Sequence, residues 1–130
     1  MAASIGEVVS ASSWDPAYPA DNVLREKGFW ATTGCYPQEV VIKLDQTSKI
    51  EAISSVTMNV RQLRVLHSPG PAAANWKELA SYEFDDIPGE LQNFNQQVGE
   101  PGSGEKSRFL KFVVGSGWGE SCTINRVSFE

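Results

Sequence analysis

The sequence predicts an all-β sandwich or barrel, and three observations carry that prediction. Glycine (11) and proline (7) fall at intervals between short apolar runs, the spacing of turn signals expected where strand follows strand. Within those runs apolar and polar positions alternate, as in Val40, Ile42 and Leu44 against Glu39 and Lys43, which is the period of a strand with one buried face. No stretch sustains a helical period for about three turns. The chain reads as a single domain over residues 1–130. A domain of this size buries about two-thirds of the surface its unfolded chain exposes, so no metal or disulfide is needed to hold it.

The strands are expected in the following order. Ile5 to Ser10 alternates loosely, and Gln38 to Leu44 alternates well. Lys49 to Val60 is a long β-favouring stretch with Val56, Met58 and Val60 in phase, and Leu63, Val65 and His67 follow in the opposite phase. That switch near Arg61 and Gln62 predicts a bulge or tight turn, because a one-residue slip exchanges the faces. Leu79 to Phe84 sets Ala80, Tyr82 and Phe84 on one side. Leu91 to Val98 is rich in Asn and Gln and suits an outer strand. Arg108 to Val114 carries bulky apolar residues on both faces, as a central strand does, and Thr123 to Phe129 follows. The total is about eight strands. One short helical turn is expected from Val23, capped by Asp21 or Asn22 and ended by Gly28. Segments 14–20, 68–75, 99–106 and 115–121 read as coil.

Charge and composition narrow the function. The formal charge is −5, and Lys and Arg form no run. Polyanion binding requires a basic patch that displaces counterions, so nucleic acids and anionic membranes are poor partners. Met1 to Ser10 has neither a basic start nor a long apolar stretch, which predicts a chain that is not secreted. The cysteines, Cys35 and Cys122, make no disulfide framework. His67 is the only histidine, and without a second ligand of suitable spacing it does not suggest zinc. No nucleophile elbow, phosphate loop or calcium-loop motif occurs. Asp85 and Asp86 are adjacent, so on an extended chain they point apart and do not pair as acid and base. Nothing assembles an active site, and the expectation is a non-enzymatic protein. Among the aromatics, Trp118 lies between Gly117 and Gly119 and is expected to be exposed, while Trp30 is expected in the core.

One stretch is far more specific than the rest. It reads Tyr18-Pro19-Ala20-Asp21-Asn22-Val23-Leu24, then Gly28-Phe29-Trp30-Ala31-Thr32-Thr33-Gly34-Cys35-Tyr36-Pro37-Gln38-Glu39, then Val40 to Leu44. Together with Arg108 to Val114 and a final strand, it resembles the discoidin, or galactose-binding-like, jelly-roll family. Phe29-Trp30-Ala31-Thr32-Thr33-Gly34 followed by Tyr36-Pro37-Gln38-Glu39, with Val127-Ser128-Phe129-Glu130 at the end, is similar more narrowly to the intraflagellar transport protein 25 family, also labelled heat-shock protein beta-11.

That resemblance implies a discoidin-like jelly-roll β-sandwich. It further implies a subunit of intraflagellar transport complex B that forms a heterodimer with a Rab-like small GTPase subunit, intraflagellar transport protein 27. Such a protein would reside in the cilium or flagellum and in the cytoplasm near the basal body. The resemblance also suggests structural calcium (Ca2+), with Asn22 and Glu130 as candidate ligands, although Arg25 stands where relatives carry Asp. Partner contact is expected from Thr32, Thr33, Tyr36, Pro37 and Gln38 at a sandwich edge, and from Trp118. The alternative function is a lectin-like carbohydrate-binding module, which the same fold also supports.

Overall fold

Alternation of apolar and polar residues produces nine strands among the described residues, arranged in two antiparallel sheets. The computed structural model describes residues 6–12, 17, 19–24, 28–32, 36–98, 106–119 and 122–129. The strands are β1 (Gly6–Ala11), β2 (Trp30–Ala31), β3 (Gln38–Ser48), β4 (Ala52–Met58), β5 (Val60–Ser68), β6 (Lys77–Glu83), β7 (Gln92–Gln97), β8 (Ser107–Gly117) and β9 (Thr123–Phe129). A five-stranded sheet runs β1-β3-β8-β5-β6, and a four-stranded sheet runs β2-β9-β4-β7. The two layers face each other as a jelly-roll sandwich, each contributing its apolar face to one core.

Strand β8 lies in the middle of the larger sheet, as its two-faced apolar composition predicts. Leu110, Phe112 and Val114 are fully buried on its inner side. They meet Val40, Ile42 and Leu44 of β3 on one flank and Leu63 and Val65 of β5 on the other. The opposing sheet supplies Ile53, Phe94, Ile124, Val127 and Phe129. In β9 the buried positions are 124, 127 and 129, breaking the two-residue period, because the pairing with β4 skips Asn125. A bulge thus re-phases the strand so that both halves face the core.

The phase switch expected near Arg61 and Gln62 is present. Register shifts between β5 and β8 fall between Val60 and Gln62 and between Gln62 and Leu63, so Val60 and Leu63 both point inward. The phase expected for Lys49 to Val60 is corrected. Ile53, Ser55 and Thr57 face the core, whereas Val56 and Met58 are half-buried on the outer side. The reason is that the stretch is not one strand. It changes sheets at Asn59, which adopts a left-handed backbone (φ 62°). Strand β7 is an edge strand, as its polar composition predicts.

Other boundaries move by a few residues. Strand β3 extends to Ser48 and β8 to Gly117, and the helical turn is a 3-10 helix over Ala20–Leu24. Strand β2 has only two residues, too short for any alternation to announce it. The alignment expected in β6 also breaks: Ala80 and Phe84 are buried, but Tyr82 is 49% exposed. At a sheet edge its ring meets Phe84 edge-on and Phe94 at a tilt, with centroids 4.8 and 5.4 Å away.

Candidate functional site

The specific sequence stretch folds around Trp30, whose side chain is completely buried. Asn22, in the 3-10 helix, donates from Nδ2 to the carbonyl of Phe29 at 3.0 Å and so clips the helix to the entry of β2. Gly28 is required at this clip. Its φ is +92°, and a Cβ there would lie 2.9 Å from Asn22 Nδ2. Asn22 therefore has a structural task in the loop. Glu130, the other candidate calcium ligand, and Arg25 lie outside the described residues. Calcium takes about six to eight oxygen ligands. The described part of this loop supplies a carboxamide but no cluster of acidic side chains: among the described residues no group of three or more His, Cys, Asp or Glu converges.

The residues after Trp30 divide into an inner and an outer set. Thr32 is buried. Its amide donates to the carbonyl of Cys122 at 3.1 Å, and its Oγ1 accepts from the Cys122 amide at 3.2 Å. Gln38 is also buried, its Oε1 accepting from Ser12 Oγ at 2.8 Å. Ser12 Oγ in turn accepts from the Glu39 amide at 2.7 Å. Thr32 and Gln38 were expected at an exposed edge. They are instead interior groups that join segments distant in the chain, because a polar side chain can be buried once hydrogen-bonded. Thr33 lies outside the described residues. Pro37 is exposed and follows a cis peptide bond. Tyr36 is half-buried, and its hydroxyl donates to the carbonyl of Gly119 at 3.1 Å.

Tyr36 and Trp118 are thereby brought to the same end of the sandwich. Burial pushes the Tyr36 phenol above its ordinary range, and the neighbouring Cys122 adds to that shift. Burial likewise raises the Cys122 thiol, opposed by hydrogen bonds from Thr32 and Tyr36. This thiol is held neutral and enclosed, which is the opposite of an activated nucleophile. His67, the single imidazole, is buried with Nδ1 2.6 Å from Ser107 Oγ. It is a satisfied interior group at the end of β5.

Trp118 is 39% exposed, and its placement is firmly set. Its indole Nε1 donates to the carbonyl of Phe84 at 3.0 Å, and its amide donates to that of Asn59 at 2.9 Å. The guanidinium of Arg61 lies 4.8 Å from the ring centroid, covering one face by a cation–π contact. Beside it, the buried carboxamide of Gln92 accepts from Thr57 Oγ1 (2.9 Å) and from the Val60 amide (3.0 Å). The same side chain donates to the Val60 carbonyl at 2.8 Å. Sequence reasoning missed Arg61 and Gln92, since neither residue type carries a local signal of such a role. Ile87 and Leu91 flank this end and are 36% and 47% exposed. Two large aliphatics around Pro88-Gly89 in an acidic turn were a signal that could have been read.

A concavity of about 110 Å³ lies on the outer face of the four-stranded sheet between Asn93, Asn95, Ser54, Ser128 and Arg126. Ser54 and Ser128, cross-strand partners in its lining, are hydrogen-bonded to each other.

Comparison with known proteins gives this geometry a context. The family described as the XRCC1 N terminal domain matches residues 1–81. A Chlamydomonas reinhardtii protein named intraflagellar transport protein 25 is 33% identical over 125 residues. The match covers 95% of this chain and 64% of that relative, so the chain spans about two-thirds of the relative's length. Among solved structures, XRCC1 in its reduced form bound to the DNA polymerase β catalytic domain superposes with a TM-score of 0.80 at 18% identity, covering 98% and 97% of the two chains. A Clostridium perfringens carbohydrate-binding module in complex with GalNAc-β-1,3-galactose superposes with a TM-score of 0.75 at 17% identity, covering 92% and 91%. At such identities the two superpositions establish a shared galactose-binding-like sandwich.

Proposed function

This chain belongs to the XRCC1 N-terminal domain family, and from that premise we propose that it is a non-enzymatic adaptor of the intraflagellar transport machinery. It serves as a complex B subunit that pairs with a Rab-like small GTPase, intraflagellar transport protein 27, and acts in cargo transport in the cilium or flagellum. The observation that carries this reading is the likeness to the algal intraflagellar transport protein 25 along nearly the whole chain. Its identity is about twice that shared with the sugar-binding module.

The site's chemistry supports a binding role. His67, Cys122 and Thr32 are all buried and engaged within the fold, so these three side chains face inward. What the end of the sandwich offers outward is a fixed Trp with an Arg, the composition of a protein-binding surface. The face of Trp118 under Arg61 is already occupied, so a sugar ring cannot stack there without displacing the guanidinium.

An affinity pull-down of the tagged protein from a ciliated-cell lysate, read by mass spectrometry, tests the proposal. The expected result is near-stoichiometric recovery of a Rab-like GTPase with other transport subunits. Recovery of the bait alone, accompanied by glycoproteins that free sugar elutes, would discard the adaptor reading for carbohydrate binding.

A further inference from the structure

Five large hydrophobic side chains stand exposed among the described residues: Val9, Tyr82, Ile87, Leu91 and Trp118. Val9 is alone on β1. The other four lie on, or touch, the connection between β6 and β7. Tyr82 is the second-last residue of β6, Ile87 and Leu91 lie in the connection itself, and Trp118 is bonded to the carbonyl of Phe84. Exposed apolar side chains scattered singly need no explanation, whereas a gathered set marks an interaction site.

The connection carries charge of one sign, while Arg61, a cation, lies beside it over Trp118. Glu83 at the end of β6 and Asp85, Asp86 and Glu90 in the connection make four carboxylates, with no Lys or Arg between them. Glu83 is 3.9 Å from Arg61. Asp85, Asp86 and Glu90 are exposed and have no ion pair among the described residues. Mutually repelling carboxylates around an apolar centre favour a cationic counterpart. They disfavour a second copy of this chain, which would bring the same acids face to face.

We propose that the Tyr82–Leu91 connection together with Trp118 is the docking face for the small GTPase subunit. The GTPase meets it with an apolar centre rimmed by lysine and arginine. This rests on the adaptor reading and adds to it the location and charge of the contact. Two anchors of the face are preorganised: Trp118 is held by Phe84 and Asn59, and the start of β7 is held by Gln92. Binding has little order left to impose on those two.

The test measures binding of the purified chain to the recombinant Rab-like GTPase subunit by calorimetry, at low and high salt. The triple variant Asp85→Lys/Asp86→Lys/Glu90→Lys is expected to weaken the complex by about 30-fold or more at low salt, with a smaller loss at high salt. Leu91→Ser is expected to weaken it about tenfold at either salt. Val9→Ser, an exposed hydrophobic on another edge, is expected to leave it unchanged. Circular dichroism confirms that each variant is folded. If the GTPase binds wild type but the triple variant and Leu91→Ser stay within about twofold of it, this face is not the interface and the adaptor reading stands. If wild type forms no complex with the GTPase, both fall together.

Discussion

Two stretches of comparable length lie at the same end of the sandwich and treat their side chains in opposite ways. From Gly28 to Glu39, only Gly28 and Pro37 are exposed among the described residues, and Trp30, Thr32 and Gln38 are buried. From Glu83 to Leu91, only Phe84 is buried. The first stretch carries the residues that make the sequence recognisable; the second carries no motif at all. Trp30 must fit a closed core and Thr32 must match a fixed amide, so their identities are dictated by packing. Ile87 and Leu91 are exposed, so packing does not dictate their identities in the same way. The most recognisable residues thus hold the fold together, while the surface left for a partner lies in the plainer segment.

The largest effect that could break this contrast comes from its two hydrophobic members. Trp30→Ala empties a fully buried site and should cost about 3–5 kcal/mol in urea unfolding. Leu91→Ala, at a half-exposed site, should stay within about 0.5 kcal/mol. Similar costs for the two would erase the distinction.

A smaller effect tests how tightly the first stretch interlocks with the end of β8. A Cβ at Gly117 would be driven into the Tyr36 hydroxyl and to 3.0 Å from the carbonyl of Asn59. Gly117→Ala should cost about 1–3 kcal/mol. Adding Tyr36→Phe, which removes the obstructing oxygen, should recover part of that loss. A double-mutant cycle reads the coupling, and strict additivity would show that Tyr36 is not what Gly117 accommodates.

The smallest effect is on pH dependence. Burial raises the Cys122 thiol from 9.0, so on unfolding the thiol becomes easier to ionise. Above that ordinary value the folded chain holds more protons than the unfolded one, and stability falls as pH rises. The contribution is fully present below pH 9 and declines through the alkaline range. Tyr36, raised from 10.0 for the same leading reason, adds its own decline at higher pH. Urea midpoints from neutral to strongly alkaline pH should slope downward, and less steeply in Cys122→Ala. Equal slopes in the two proteins would remove Cys122 from the account.

Much of the fold was legible because periodicity reports burial. The central position of β8, the edge position of β7 and the break near Gln62 follow from which faces are apolar. The core role of Trp30 was legible too. What escaped was polar and non-local. Thr32 and Gln38 look like surface residues until their partners, Cys122 and Ser12, are brought alongside by the fold. Gln92 looks like one more amide in a polar strand, yet it is buried against Val60. The phase of β4 was misread because Val56 and Met58 are more hydrophobic than Ser55 and Thr57. At that position the inner face is narrowed by the carboxamide of Gln92, which bonds to Thr57. Of the candidate site, the exposure of Trp118 was visible between its glycines. Arg61 above its ring was not, since nothing local links residues so far apart in sequence.

The passage at Asn59 has a mechanical meaning. Strand β4 belongs to one layer and β5 to the other, and a single left-handed residue joins them. Gln92 then stands in for a missing peptide unit by pairing both main-chain groups of Val60, and Trp118 pairs the carbonyl of Asn59 itself. The two layers are stitched at this corner and cannot slide past one another without tearing several buried hydrogen bonds. A load applied at Trp118 or at the start of β7 would pass into both sheets at once. The domain would then respond to a pull at this corner as one stiff block, not as two sliding layers.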